Sequence, residues 1–226
     1  MKSSKKFIET YSKKLSWWIV IVIALFVAAL LSFTYIAHEI ILEQEEYVDH
    51  QFFQILSPHI NAPLTGIMEI ITYGASGRFL QIVYGLLVMG YLIKKNWKRA
   101  IEIAVIGLGG FVINYFMKLS FQRQRPPDPL IEPLQNFSFP SGHATSGFIF
   151  YGLLVYLLWK SKLKQVYKYI FSSVLIIIAF IIGFSRIYLR LHYLSDVVAG
   201  FCIGFAWLAV AIWMMERLKR EADREP

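Results

Sequence analysis

The chain has 226 residues, a formal net charge of +8, 57% hydrophobic residues and a mean hydropathy of +0.52. Soluble domains hold about 45–50% apolar residues, so an ordinary soluble domain is excluded and a membrane-embedded chain is expected. The positive charge gives no reason to propose nucleic acid, because most of it falls in loops where membrane topology collects it.

Stretches long enough to cross roughly 30 Å of hydrocarbon as helices are predicted at about 16–37, 63–93, 100–120, 144–159, 169–188 and 197–216. This predicts an all-α, polytopic bundle of six transmembrane helices, and with no fixed-period repeat or linker the simplest count is one domain over 1–226. The first stretch follows a basic N-terminus as a signal peptide would, but no small-residue cleavage site follows it, and it reads as a retained anchor. The segment 44–61 carries Val48, Phe52, Phe53, Ile55 and Leu56 between polar residues. Two readings fit it: a short interfacial helix between the first two spans, or a connecting loop packed on the bundle. The second span contains Gly74, Gly77 and an intramembrane Arg78, so a tilt, a kink or a pair of shorter helices is expected there. The single cysteine, Cys202, lies in an apolar run and reads as a small core or lipid-facing residue.

Cytoplasmic flanks collect Lys and Arg. The N-terminus (Lys2, Lys5, Lys6, Lys13, Lys14), the 94–99 loop, the 160–168 loop and the C-terminal tail hold 17 of the 23 cations. Both termini are therefore expected in the cytoplasm. The 38–62 segment has no Lys or Arg and carries Glu39, Glu43, Glu45, Glu46 and Asp49. Apart from Arg78, the remaining cations are Lys118, Arg123, Arg125, Arg186 and Arg190, which the topology gathers at the extracytoplasmic ends of spans with no charge-count reason to be there.

Those cations belong to three polar clusters: Lys118 to Pro126 (KLSFQRQRP), Pro140 to His143 (PSGH) and Ser185 to Asp196 (SRIYLRLHYLSD). Ionisable groups at the edge of spans are costly enough to suggest a site, and this set suits a phosphate. Lys118, Arg125 and Arg186 are candidates to hold the equatorial oxygens of a phosphoryl group in transfer; their bland reading is snorkelling at the interface, which is preferred for Arg123 and Arg190. PSGH opens the fourth span, where unpaired backbone N–H groups attract anions. There Gly142 allows close approach, Ser141 offers a hydroxyl and His143 is placed to be a general acid. The bland alternative is a Pro-Ser helix start with an incidental histidine. His192 and Asp196 are i and i+4, so on one helix face a carboxylate would orient an imidazole nucleophile; the alternative is a capping Asp beside an interfacial His. His38, His50 and His59 have spacings that match no familiar metal-ligand pattern.

The conjunction K-x6-RP, PSGH and SR-x5-H-x3-D fixes eleven identities, which chance explains poorly. In these motifs the chain resembles the type 2 phosphatidic acid phosphatase superfamily, with no departure at a defining position; size and span layout look most like its bacterial phosphatidylglycerophosphatase B and undecaprenyl pyrophosphate phosphatase branches. The resemblance implies that His192 becomes phosphohistidine, that Asp196 orients it and that His143 is the general acid. It also implies that Lys118, Arg125, Ser141, Gly142 and Arg186 bind the phosphate, that Ser185 has a less defined part, and that no metal or other cofactor is used. The expectation is a plasma-membrane phosphatase of bacterial type, acting at the extracytoplasmic face on the terminal phosphate of a lipid that enters through a gap between spans. Phosphatidylglycerol phosphate and phosphatidic acid-type lipids are acceptable substrates, with the bilayer and the lipid as partners and no protein partner inferred. The alternatives are a dedicated undecaprenyl pyrophosphate phosphatase, a phosphotransferase, and a non-catalytic transporter or lipid-binding protein.

Overall fold

A computed structural model describes residues 2–40, 47–132 and 135–222. Among them the regular structure is helical: α1 (Lys2–His38), α2 (Tyr47–Leu56), α3 (Ala62–Tyr73), α4 (Gly77–Ile93), α5 (Trp97–Phe121), α6 (Gly142–Trp159), α7 (Gln165–Tyr188) and α8 (Leu194–Ala222), with a 3₁₀ turn at Ser57–His59. Six segments are long and apolar enough to cross a membrane: Ile19–His38, Ala62–Ile93, Trp97–Phe121, Gly142–Trp159, Gln165–Tyr188 and Leu194–Glu221. The expected spans are all present, most of them a few residues longer than their hydropathy suggested.

The second span is a helix pair. Asn61 caps α3 by accepting the Leu64 N–H at 3.0 Å, and the helix runs out at Gly74. Ser76 then caps α4 by accepting from Phe79 N at 3.3 Å. The break leaves carbonyls without intrahelical partners, and the Tyr151 hydroxyl donates to Gly74 O at 3.0 Å. Because Ala75 packs against Gly147, one turn below His143, Arg78 lies in the first turn of α4 near the level of the site and not in mid-span.

Helix α6 is central, packed on α5, α7 and α8. Small residues set the spacing, as is usual between helices in lipid. A Cβ on Gly200 of α8 would sit 2.8 Å from the Ser141 carbonyl oxygen, so only glycine lets α8 approach the start of α6 this closely. At the other end of the bundle Glu102 pairs with Arg99 (2.6 Å) and Lys219 (2.9 Å), while Glu216 takes Lys160 (2.7 Å) and the Tyr156 hydroxyl (2.5 Å), clamping α5, α6 and α8. Outward faces are largely apolar, as α1 shows from Ile19 to Leu31, and a seam further along it containing Phe33, Ile36 and Ala37 meets the bundle.

The described part of the 44–61 segment includes a true helix, α2; residues 44–46 lie outside the described residues. Phe52, Phe53 and Leu56 pack against the cluster of Ala144, Ile187 and Val197, while Tyr47, Val48 and Ile55 face outward. Its one fully buried residue is charged, Asp49.

Candidate active site

Two loops and two helix starts converge at one end of the bundle. Gln122, in the left-handed conformation (φ 47°), ends α5 and turns the chain into the 122–141 loop. Ser141 caps α6, its hydroxyl oxygen accepting from Ala144 N at 3.4 Å, and its own N–H donates to Asp196 O at 2.9 Å, tying the start of α6 to the start of α8. Helix α7 ends at Tyr188, and 189–193 form a tight turn, with Arg190 at φ 54°, that delivers His192 to the centre.

His192 is therefore not on the helix that carries Asp196, contrary to the shared-face expectation. It sits in the loop before α8, is only 1% exposed, and meets Asp196 from the side, Nδ1 lying 3.4 Å from Oδ2. Ser138 Oγ is also 3.4 Å from Nδ1, and it donates a short hydrogen bond to Asp196 Oδ2, which accepts the Tyr193 N–H at 2.9 Å as well. These acceptors favour a proton on Nδ1 and a lone pair on Nε2. Nε2 faces Arg125 Nη1 at 3.3 Å. Burial, then the nearby Arg186, Arg125 and Lys118 charges, hold the His192 pKa well below the usual histidine range, so the ring is neutral.

The cations are anchored without being neutralised. Arg125 donates from Nε to Asn136 O (2.9 Å), from Nη2 to Asn136 Oδ1 (2.5 Å) and from Nη1 to Leu191 O (2.6 Å); burial lowers its pKa while Asp196 opposes the shift. Lys118 donates to Phe137 O and, at 3.2 Å, to Ser138 O. Arg186 is buried, donates to Thr72 Oγ1 at 2.9 Å, and its Nε–H meets no acceptor among the described residues. Gly142 sits against Asn114 and Lys118, a would-be Cβ falling 3.2 Å from Asn114 Oδ1 and 3.8 Å from Lys118 Cε, so a side chain there would fill the approach to the cations. His143 faces the same space, while Ser185 is turned away, its hydroxyl donating to Ile182 O at 2.6 Å. Apart from Ser185, the residues singled out in the three motifs converge.

Residues outside the motif reading complete the cluster. Arg123, read as snorkelling, is buried instead: it pairs with Asp196 Oδ1 at 2.7 Å and Asp49 Oδ2 at 2.8 Å and lies 3.9 Å from the centre of the Tyr193 ring. Burial works against its charge, but Asp196 and Asp49 outweigh that and hold its pKa above the usual value. Arg190 is half-buried at the edge, donating to Ser57 Oγ at 2.9 Å. Ser138 and Asn136 belong to a loop with no motif of its own, although Ser138 stands two residues before PSGH. Asp49 gave no signal at all, being 74 residues from the arginine it meets.

Below the cations opens an apolar cavity of about 630 Å³ between α4, α5 and α6, lined by Leu80, Tyr84, Val88, Gly107, Leu108 and Phe111 and headed by Lys118, Arg125, His143 and His192. From Lys118 down to Ala104 it follows α5 for roughly 20 Å at 1.5 Å per residue. A polar head over a long greasy slot matches an amphiphile with an anionic group.

The chain is 29% identical over 181 residues to phosphatidylglycerophosphatase B of Bacillus subtilis (78% of this chain, 85% of that one) and 28% identical over 156 residues to undecaprenyl-diphosphatase BcrC of the same organism (65% and 75%). The crystal structure of a transmembrane PAP2 type phosphatidylglycerolphosphate phosphatase from Bacillus subtilis superposes with a TM-score of 0.78 at 26% identity, covering 86% of this chain and 98% of that one. The family model of the PAP2 superfamily matches residues 99–220, more than half of the chain, from α5 to α8. With three cations, two histidines and a carboxylate brought together above an apolar cavity, and with relatives that are membrane phosphatases, this multi-pass membrane protein belongs to the PAP2 superfamily.

Proposed function

We propose that the protein hydrolyses the terminal phosphate of membrane lipids through a phosphohistidine on His192, at the extracytoplasmic face of the plasma membrane, the whole chain acting as one catalytic domain. The observation that carries this reading is the His192 ring: its Nδ1 side is held by Asp196 and Ser138, and its Nε2 side meets Arg125 at the head of an apolar cavity.

In this reading the lipid tail lies in the cavity and its phosphate rests among Lys118, Arg125 and Arg186, with the Ser141 hydroxyl and the first N–H groups of α6 beside Gly142 as further donors. Nε2 of His192 attacks phosphorus in line. Asp196 steadies the positive charge that the imidazole gains as the N–P bond forms, and the fixed cations hold the equatorial oxygens. The leaving oxygen takes its proton from His143, so the dephosphorylated lipid departs neutral at that oxygen. Water, giving a proton back to His143, then attacks the phosphohistidine, and phosphate is released. Three fixed cations supply the charge that a divalent metal brings elsewhere, so activity is expected in EDTA.

Phosphatidylglycerol phosphate and phosphatidic acid-type lipids are the proposed substrates, supported by the likeness to phosphatidylglycerophosphatase B. The likeness to an undecaprenyl-diphosphatase favours a second reading, dedicated recycling of undecaprenyl pyrophosphate. The test is phosphate release by detergent-purified protein in EDTA, offered phosphatidylglycerol phosphate and undecaprenyl pyrophosphate in parallel, with His192→Ala as control. Release by the wild type alone supports the mechanism, and the ratio of kcat/KM values ranks the two roles. No release of phosphate from either lipid by folded protein points to another phosphorylated lipid as substrate or to a phosphate-lipid binding or transport protein.

A further inference from the structure

The buried residue of α2 is an aspartate, and this needs a reason. A buried carboxylate is costly to desolvate, and a buried ion pair often adds little net stability compared with apolar packing. Asp49 is nonetheless fully engaged: Oδ1 accepts the Ser195 N–H at 2.9 Å, and Oδ2 accepts the Ser195 hydroxyl at 2.5 Å and Arg123 Nη2 at 2.8 Å. Arg123 hands the chain on, donating from Nη1 to Ser195 Oγ at 2.9 Å and to Asp196 Oδ1 at 2.7 Å, and Asp196 ends it at His192. Asp49, Arg123 and Asp196 are 3%, 7% and 0% exposed, so water screens these charges little.

The charge count gives the chain its meaning. Around His192 lie Lys118 from α5, Arg125 from the loop, His143 from α6 and Arg186 from α7, with Asp196 from α8 as the facing carboxylate. The Arg123 charge on Asp196 works against that carboxylate just where attack on phosphorus makes the imidazole positive. Asp49, a second carboxylate on Arg123, offsets that charge while the guanidinium still fixes Asp196 in place.

We propose that Asp49 is a positioning residue of the catalytic centre: through Arg123 it keeps Asp196 oriented and electrostatically negative toward His192, so that the α2 helix, outside the three motifs, forms part of the site. This rests on the proposed role of His192, and the two are separable. If His192→Ala retains activity, that role falls; if His192→Ala is inactive, Asp49 is tested on its own.

The experiment is the pH dependence of phosphate release from dioctanoyl phosphatidic acid by full-length Asp49→Asn and by the double variant Asp49→Asn/Arg123→Gln, with thermal midpoints in detergent. Asp49→Asn keeps the side-chain shape but removes one of the carboxylates that Arg123 shares. It is expected to lower kcat about tenfold with KM little changed, and to move the acidic limb of kcat/KM down by about one pH unit, since one unit and a factor of ten are the same free energy. Removing one negative and one positive charge together leaves the net charge beside His192 unchanged, so the double variant is expected to restore the limb to its wild-type position. A purely structural clamp predicts reduced activity with an unmoved limb in Asp49→Asn and a greater loss in the double variant, and either result overturns the proposal. Should Asp49→Asn fail to fold, a folded double variant with a wild-type limb supports charge balance, and an unfolded one overturns it.

Discussion

Asp196 reaches His192 from the first turn of α8 across a loop, Oδ2 to Nδ1 at 3.4 Å, while its other oxygen holds Arg123 at 2.7 Å. The carboxylate is thus braced on both sides, and its geometry does not depend on a continuous helix between the two motif residues. Asp196→Asn keeps the shape but removes the charge and lets an amide N–H face the ring. By analogy with tautomer-disrupting changes in hydrolytic triads, kcat is expected to fall on the order of 10³–10⁴-fold, measured as phosphate release by protein whose circular dichroism is unchanged. A loss under tenfold would show that Ser138 alone suffices to orient the ring.

The pH profile follows from the neutral state of His192. Burial, then Arg186, Arg125 and Lys118, depress its pKa, so the ring stays unprotonated well below the ordinary value near 6.5. The acidic limb of kcat/KM is expected below pH 6.5, opposed by a basic limb where the general acid loses its proton, giving a bell whose limbs report coupled groups. For stability the sign runs the same way. Below about pH 6.5 the unfolded chain takes up a proton at this histidine that the folded chain does not, so folding stability falls as pH drops from there and is fully present above it. A flat profile over pH 4–9, or an acidic limb at or above 6.5, would rule out this assignment.

The cavity makes a prediction about tails. Gly85 of α4 lines it, and a Cβ built there meets nothing within 4 Å. Gly85→Phe should therefore fill the slot without disturbing the helix packing. For dioleoyl phosphatidic acid kcat/KM is expected to fall about tenfold, or ~1.4 kcal/mol, while dioctanoyl phosphatidic acid, whose chains end higher in the slot, changes little. Equal effects on both lipids, or none, would place the tail elsewhere.

Sidedness is testable on whole cells. With Cys202→Ser as background, a cysteine at the exposed Glu132 is expected to react with a membrane-impermeant maleimide added outside intact cells. Labelling only after lysis would turn the site toward the cytoplasm.

How much of this was legible in the chain differs from element to element. The six spans and the three motifs needed no tertiary information, because hydropathy over a bilayer's thickness and fixed residue spacings are local properties. The break at Gly74–Ser76 was signalled by its glycines, but that it brings Arg78 to the level of the site depends on Ala75 packing against Gly147, a contact between distant segments.

The site divides along the same line. Lys118, Arg125, Ser141, Gly142, His143, Arg186, His192 and Asp196 could be named from sequence because phosphate chemistry restricts residue type and spacing within each cluster. That His192 stands in the turn before α8, that Arg123 is a buried ion-pair partner and not a snorkelling side chain, and that Asp49, Ser138 and Asn136 complete the centre were decided only when the helices packed. A single side chain paired with another 74 positions away leaves no periodicity or spacing to read. Burial of charge is a property of the assembled bundle, since it is the surrounding helices, and not neighbours in the chain, that remove the water.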